Sequence, residues 1–143
     1  MSNAKEYLQK IKYYDDRINA GLEDLSSLEE LVTRITPVLK SDVVSSSGSQ
    51  DKLGDTVAKI ADLRTQINQD TDAFVDLKRE ALALLKKLPD DPKKPYYKIL
   101  HMRYVKYMSL EKIAVEISYT YRWVRRLHGR ALQEFQKLLE DNA

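Results

Sequence analysis

The sequence predicts an all-α protein: a long antiparallel helical hairpin, coiled-coil-like, followed by a C-terminal helix-turn-helix module. Three observations support this fold class. Of the 143 residues 32% are charged and only four are glycine, a balance typical of helical proteins. Apolar residues recur every seven positions through most of the first 88 residues. Residues 88–95, LPDDPKKP, then interrupt the pattern with three prolines.

The first predicted helix runs from about Ala4 to Ile35. Two heptad series mark its buried seam, with one gap at Gly21. The first series is Ile11, Ile18, Leu25 and Val32, and the second is Tyr7, Tyr14, Leu28 and Ile35. Thr36-Pro37 should end this helix, because a residue before proline is pushed out of the helical region.

Residues 36–52 lose the periodicity and are rich in serine, which predicts a loop. The second predicted helix spans Leu53 to Leu88, and its seam carries two polar members, Thr56 and Asp70. Asp70 could set the register of the hairpin or lie at an exposed, frayed part of the seam, and the second interpretation is favoured. The seam is wider than two strands need, so residues 1–88 are predicted to be a self-association arm.

A linker at 89–95 separates this arm from a predicted module of residues 96–143. The module begins with a helix from Tyr96 to about Tyr107. Ser109 is a suitable N-cap for a short helix over 110–117, and Thr120 for the last helix. Ser118-Tyr119 forms the turn between these two helices, which together make a helix-turn-helix.

The positive charge of the chain is concentrated in this module. Residues 1–88 contain 13 Lys/Arg and 15 Asp/Glu, whereas residues 89–143 contain 11 and 7. On the last helix, the side opposite the apolar stripe carries Arg122, Arg125, Arg126 and Gly129. A guanidinium fork matches guanine O6/N7 and phosphate oxygens, so we expect this face to bind double-stranded DNA.

The basic residues have different expected partners in DNA, and Arg122, nearest the start of the last helix, could contact either a base or a phosphate. Arg125 and Arg126 are expected to contact bases, whereas Lys112 and Arg103, outside the last helix, should contact phosphate at most. Gly129 either allows a close approach to the DNA backbone or only relieves crowding. The full predicted set is Thr120, Tyr121, Arg122, Arg125, Arg126, Gly129, Arg130, Lys112 and Arg103.

The segment IAVEISYTYRWVRRLHGRAL (113–132) resembles the helix-turn-helix of sigma-factor region 4. The matching positions are Ile113-Ala114, Thr120, Val124 and Arg130-Ala131-Leu132. The resemblance covers about 45 residues and implies that Tyr121, Arg122, Arg125 and Arg126 lie where that family contacts bases and phosphates. Trp123 stands where the family has a smaller residue, and Ser118 where it usually has glycine.

The whole chain is similar to a family of small phage and prophage proteins that resemble late-gene transcriptional regulators. This resemblance implies a DNA-binding transcriptional regulator in the cytoplasm of a bacterial host. The expected partners are double-stranded DNA and a second copy of the chain in a homodimer or higher oligomer. Two alternatives stay open: a DNA-packaging or protein-interaction component that docks DNA without specificity, and an adaptor that binds RNA polymerase.

Other classes of function find little support in the sequence. The chain has no cysteine, which excludes disulfides, thiol nucleophiles and cysteine-based zinc sites. It also has no glycine-rich phosphate loop, no paired nucleophile and base, and no cluster of metal-ligating residues. We therefore expect no enzymatic activity, no cofactor or metal, no small-molecule substrate and no membrane-spanning segment.

Overall fold

A computed structural model of the chain describes residues 3–41 and 47–143, and these residues form helices and short connections without any strand. The helices are α1 (Ala4–Ser41), α2 (Ser47–Leu85), α3 (Tyr96–Leu100), α4 (Leu110–Ile117) and α5 (Tyr121–Asn142). The last turn of α3 continues directly into a π-helical segment, π1, over His101–Val105. The all-α prediction is confirmed.

The predicted helix boundaries in the first half need correction. Helix α1 does not end at Thr36-Pro37 but continues to Ser41, and α2 already begins at Ser47. Most of the predicted loop over 36–52 is therefore helical, and residues 42–46 lie outside the described part of the chain. A proline removes one hydrogen bond and disfavours the preceding turn, but the hydrogen bonds on either side of it can still form.

The chain divides into two compact units, which do not follow the predicted linker at 89–95. Unit 1 consists of Met1–Tyr13 and Phe74–Ala143, and unit 2 of Tyr14–Ala73. Each end of the first 88 residues thus belongs to the same unit as α3, π1, α4 and α5. The division of the chain into an arm of residues 1–88 and a module of residues 96–143 stays a prediction.

The hydrophobic core of unit 1 draws on every one of its helices. Helix α1 supplies Leu8 and Ile11, and α5 supplies Phe135, all with no exposed surface. The other buried apolar members are Ala4, Ala81, Leu84, Leu85, Leu88, Tyr96, Ile99, Leu100, Tyr104, Ile113, Ala114, Val124, Leu127 and Ala131. Burial of each large apolar side chain contributes roughly 1.5–3 kcal/mol, so α1 and α2 contribute substantially to the stability of this unit.

Two side-chain caps and one left-handed residue define both ends of α4 and the start of α5. The Ser109 hydroxyl accepts a hydrogen bond from the Lys112 amide at 3.2 Å, and the Thr120 hydroxyl accepts one from the Trp123 amide at 3.1 Å. Both predicted N-caps are confirmed. Ser118 ends α4 with φ 61° and ψ 40°, a conformation that glycine adopts most easily and that costs another residue about 1–2 kcal/mol.

Unit 2 contains a close contact that explains the gap in the first heptad series. Gly21 is buried, and a Cβ atom at this position would lie 2.9 Å from Cγ1 of Ile67. A side chain on residue 21 could fit only if Ile67 moved. Glycine therefore allows α1 and α2 to approach closely within this unit.

The favoured interpretation of Asp70 as an exposed seam residue is wrong. Asp70 is only 8% exposed, and its carboxylate accepts hydrogen bonds from Arg17 Nε and from Gln66 Nε2, both at 3.2 Å. A carboxylate can be buried in this way because two donors replace the water it loses. The ion pair with Arg17 joins the two helices of unit 2 at one defined position.

Asp70 and Arg17 should therefore be energetically coupled. In a double-mutant cycle with Asp70→Ala and Arg17→Ala, we expect a coupling energy of about 0.5–3 kcal/mol, since each single change leaves its partner without its ion pair. Urea denaturation followed by circular dichroism provides the free energies of unfolding. Asp72→Ala, which removes an exposed carboxylate from the same helix, should change stability by less than about 0.5 kcal/mol. Simple additivity of the two single changes would show that the pair does not stabilise unit 2.

Candidate nucleic-acid interface

The apolar stripe of α5 determines which side of the helix faces outward. Val124, Leu127, Ala131 and Phe135 have no exposed surface. Arg122 and Arg126 each lie two residues from Val124, or about 200° around the helix at 100° per residue. They therefore occupy the side of α5 that faces away from the core, and both are exposed.

Three arginines on this outer side form no ion pair with any described residue. Arg122, Arg125 and Arg126 are all exposed. Other cations of the described chain do form ion pairs, among them Arg17, Arg34, Arg64 and Lys137. The first turn of α5 also contains no acidic residue, so its positive helix dipole adds to the positive charge of the arginines.

An open groove of about 290 Å³ lies at the N-terminal end of α5, lined by Thr120, Arg122, Trp123 and Arg126. Trp123 is half-buried and packs against the core of unit 1. The guanidinium carbon of Arg130 lies 5.6 Å from the centroid of a Trp123 ring, within the range of a cation–π interaction. Three predicted site residues, Thr120, Arg122 and Arg126, thus line this groove, and a fourth, Arg130, contacts the Trp123 ring that forms one of its walls.

At the edge of the apolar stripe of α5, between that stripe and Arg125, His128 forms a structural contact. Its Nε2 atom lies 2.8 Å from the hydroxyl oxygen of Tyr104, and the two rings are stacked with centroids 5.7 Å apart. Burial, and then the positive charges of Arg103 and Lys5, lower the pKa of His128 to about 4. His128 is therefore neutral at pH 7 and connects α5 to π1.

The predicted residues outside α5 have different environments. Arg103 is half-buried, its Nη1 donates to the Met108 carbonyl at 3.0 Å, and its guanidinium carbon lies 6.0 Å from the Tyr104 ring. These contacts hold the connection after π1 and leave other guanidinium donors available. The side chain of Lys112 is exposed in the first turn of α4, where it can contact a phosphate without rearrangement.

Tyr121 and Gly129 lie on the exposed surface of α5. Tyr121 is 42% exposed at the first position of the helix. A Cβ atom on Gly129 would have no described atom within 4 Å. Crowding within the described chain thus offers no reason for glycine at 129.

A larger open cavity of about 380 Å³ lies beside α4, and its lining includes Asp90, Asp91 and Glu116. These three carboxylates outnumber the one cation of the lining, Lys98, so the cavity repels an anion and is a poor place for nucleic acid. Among the described residues, no group of three or more His, Asp or Glu side chains could hold a metal ion. Within the same ranges, no helix has an apolar run long enough to cross a bilayer.

Sequence reasoning missed two features of this region. The Trp123–Arg130 contact has a signal that could have been used, since residues seven apart lie on the same side of a helix. The approach of α1 to α5 has no such signal in the sequence. The residues in contact, Ala4 and Gln136, lie 132 positions apart, and no local pattern relates them. The Ala4 amide nevertheless donates to Oε1 of Gln136 at 2.7 Å, which places the beginning of α1 directly beside α5.

Comparisons of the chain with protein-family models, with curated proteins and with solved structures found no match. The candidate interface is therefore defined by its own geometry. It consists of an outer face of unpaired arginines, a groove at the helix N-terminus, and aromatic rings that hold a guanidinium group on each side of α5.

The open surroundings of Gly129 lead to a stability prediction. Gly129→Ala should stabilise the protein by about 1 kcal/mol, because alanine has the higher helix propensity and its methyl group meets nothing. Thermal and urea denaturation would measure the change. Gly54→Ala is a matched control, since Gly54 also lies inside a helix in open space, and it should stabilise the protein by a similar amount.

Proposed function

We propose that the chain is a non-enzymatic, sequence-specific DNA-binding regulator. In this proposal α4 and α5 are a helix-turn-helix, and α5 enters the major groove. The principal support is the set of three exposed, unpaired guanidinium groups of Arg122, Arg125 and Arg126, opposite a stripe with no exposed surface. The buried stripe keeps this side of α5 outward.

The chemistry of the arginines suits both parts of DNA recognition. A guanidinium can donate two parallel hydrogen bonds to O6 and N7 of guanine, or bind a phosphate through charge-assisted hydrogen bonds. Arg125 and Arg126 are proposed to contact bases. Arg122 lies in the first turn of α5, beside the groove that contains Thr120, and can contact either a base or a phosphate.

The remaining predicted residues have supporting roles in this proposal. Lys112 and Arg103 contact phosphates, and Tyr121 lies against the sugar-phosphate backbone at the start of α5. Gly129 allows the DNA backbone to approach α5 closely. The proposal also includes a phage or prophage origin, control of late genes and a location in the bacterial cytoplasm. These three points rest only on the resemblance of the sequence to small phage and prophage proteins.

The arginine face can be tested with DNA fragments selected from a random pool. The triple variant Arg122→Ala, Arg125→Ala, Arg126→Ala should lose most of its affinity for the selected DNA. Each guanine contact is expected to contribute about 1–3 kcal/mol to the binding free energy. Each phosphate contact is expected to contribute about 0.9 to the slope of log affinity against log salt concentration. Fluorescence anisotropy at two salt concentrations would measure both. Circular dichroism should show unchanged helicity, because alanine favours the helix.

A matched variant controls for the loss of net charge. Lys52→Ala, Lys59→Ala and Arg79→Ala together remove three exposed cations from α2 and should leave affinity for the selected DNA close to that of the wild type. Wild-type affinity and salt slope in the triple arginine variant would contradict the proposed site. Equal affinity of the wild type for selected and random DNA would instead support docking of DNA without specificity.

We also propose that the protein functions as a homodimer or higher oligomer through unit 2. Several seam residues there are only half-buried, among them Leu25, Leu28 and Leu63. Leu22 and Leu31 are 48% and 42% exposed. Apolar surface left in water on a long helix is typical of one that packs against further helices. A dimer with two helix-turn-helix modules would bind DNA with a higher affinity than one module alone.

Sedimentation of the full chain tests this association. The wild type should form a dimer or larger species at micromolar concentration. Leu22→Glu combined with Leu31→Glu should shift it towards monomer, because a charge would be buried in the proposed interface. Glu23→Lys, at an exposed position on the side of α1 opposite the seam residues Gly21 and Leu25, should leave the assembly unchanged. A wild-type monomer at high micromolar concentration would rule the interface out.

A further inference from the structure

A second basic surface lies beside α5 and is formed by residues outside that helix. It consists of Lys5 and Lys12 of α1 and Arg103 of π1, and we refer to it as the flank patch. Lys5 and Lys12 are seven residues apart, so they lie on the same side of α1. The sequence places both lysines in the predicted self-association arm, far from the basic module.

Contacts within unit 1 bring the start of α1, with Lys5, to the side of α5, and place Lys12 and Arg103 beside the tyrosines of π1 and the residues after it. The hydrogen bond from the Ala4 amide to Gln136, 2.7 Å long, holds the first turn of α1 against α5. Lys12 Nζ lies 5.6 Å from the centroid of the Tyr107 ring, and Arg103 lies over the ring of Tyr104. Lys12 and Arg103 also line one small groove of about 120 Å³.

The charged side chains that line the small groove are both positive, those of Lys12 and Arg103. The other residues that line the small groove are Leu8, Gln9, Tyr104 and Tyr107, none of which is acidic. Arg103 and Lys5 also lie near enough to His128 for their positive charges to lower its pKa. An anion next to this groove would gain attraction from several sides.

The position of the flank patch relative to the arginine face identifies the anion. His128 lies three residues from Arg125, on the neighbouring stripe of α5, so the patch borders the arginine face rather than covering it. A helix with its side chains is about 10–12 Å wide and fills the major groove, which is about 12 Å wide. Cations that lie beside a helix in the major groove are then close to the phosphates of the DNA strand that borders this groove.

We propose that the flank patch binds phosphates of the DNA strand bordering the groove that α5 enters. This inference rests on the proposed function, since it assigns a second contact surface to the same complex. The patch would add affinity that does not depend on base sequence, because phosphate contacts position a protein without reading bases.

The test is the salt dependence of DNA binding by the full chain. Lys5→Gln should reduce the slope of log affinity against log salt by about 0.9, and Lys5→Gln with Lys12→Gln should reduce it further. Affinity for selected and random DNA should fall by the same factor, so that their ratio is unchanged. Lys5→Arg with Lys12→Arg keeps both charges and should retain the wild-type slope.

Lys10→Gln is the matched control. Lys10 is exposed on the same helix and lies about 140° around the helix from Lys5, so its loss should not alter the slope. A slope for the Lys5/Lys12 variant equal to that of the control, with binding still dependent on the α5 arginines, would overturn the patch alone. A changed ratio of selected to random affinity would also overturn it, since the lysines would then read bases. Absence of DNA binding by the wild type would overturn both proposals.

Discussion

The rotation of α5 about its own axis is the constraint on which the candidate interface depends. Val124, Leu127, Ala131 and Phe135 are completely buried, and truncation of a large buried apolar side chain typically costs 2–5 kcal/mol. Turning the helix far enough to bury the arginines would expose this stripe and desolvate guanidinium groups. The outward position of Arg122, Arg125 and Arg126 is therefore a consequence of hydrophobic packing on the other side of the helix.

The hydrophobic packing against α5 involves residues from both ends of the segment 1–88. Leu8 and Ile11 of α1 and Leu85 of α2 are as completely buried as the α5 stripe. A domain of fewer than about 60 residues buries a small fraction of its surface and is only marginally stable alone. The segment 96–143 gains part of its core from α1 and α2, and the same packing brings Lys5 to the side of α5.

Local signals predicted the parts of the structure that depend on neighbours in sequence. The caps at Ser109 and Thr120 and the spacing of the α5 stripe were read correctly, because each involves residues within a few turns. Pro37 was misjudged because a local preference was treated as a stop, and Asp70 because its partner Arg17 lies 53 residues away. The approach of Lys5 to α5 could not have been predicted, since tertiary packing alone produces it.

The guanidinium groups around α5 differ in how freely they move. Arg130 is held over Trp123, and Arg103 is held by the Met108 carbonyl and the Tyr104 ring. Ordering an unrestrained arginine costs up to about 2 kcal/mol of side-chain entropy, and much of that is already lost for these two. Held cations suit contacts with a strand backbone whose geometry varies little with sequence. The three arginines of the outer face, Arg122, Arg125 and Arg126, have no ion pair with a described residue that would restrain them in this way. In the proposed complex only a well-matched base edge or phosphate would offset the entropy lost when each of them is ordered, so their contacts would discriminate between sequences.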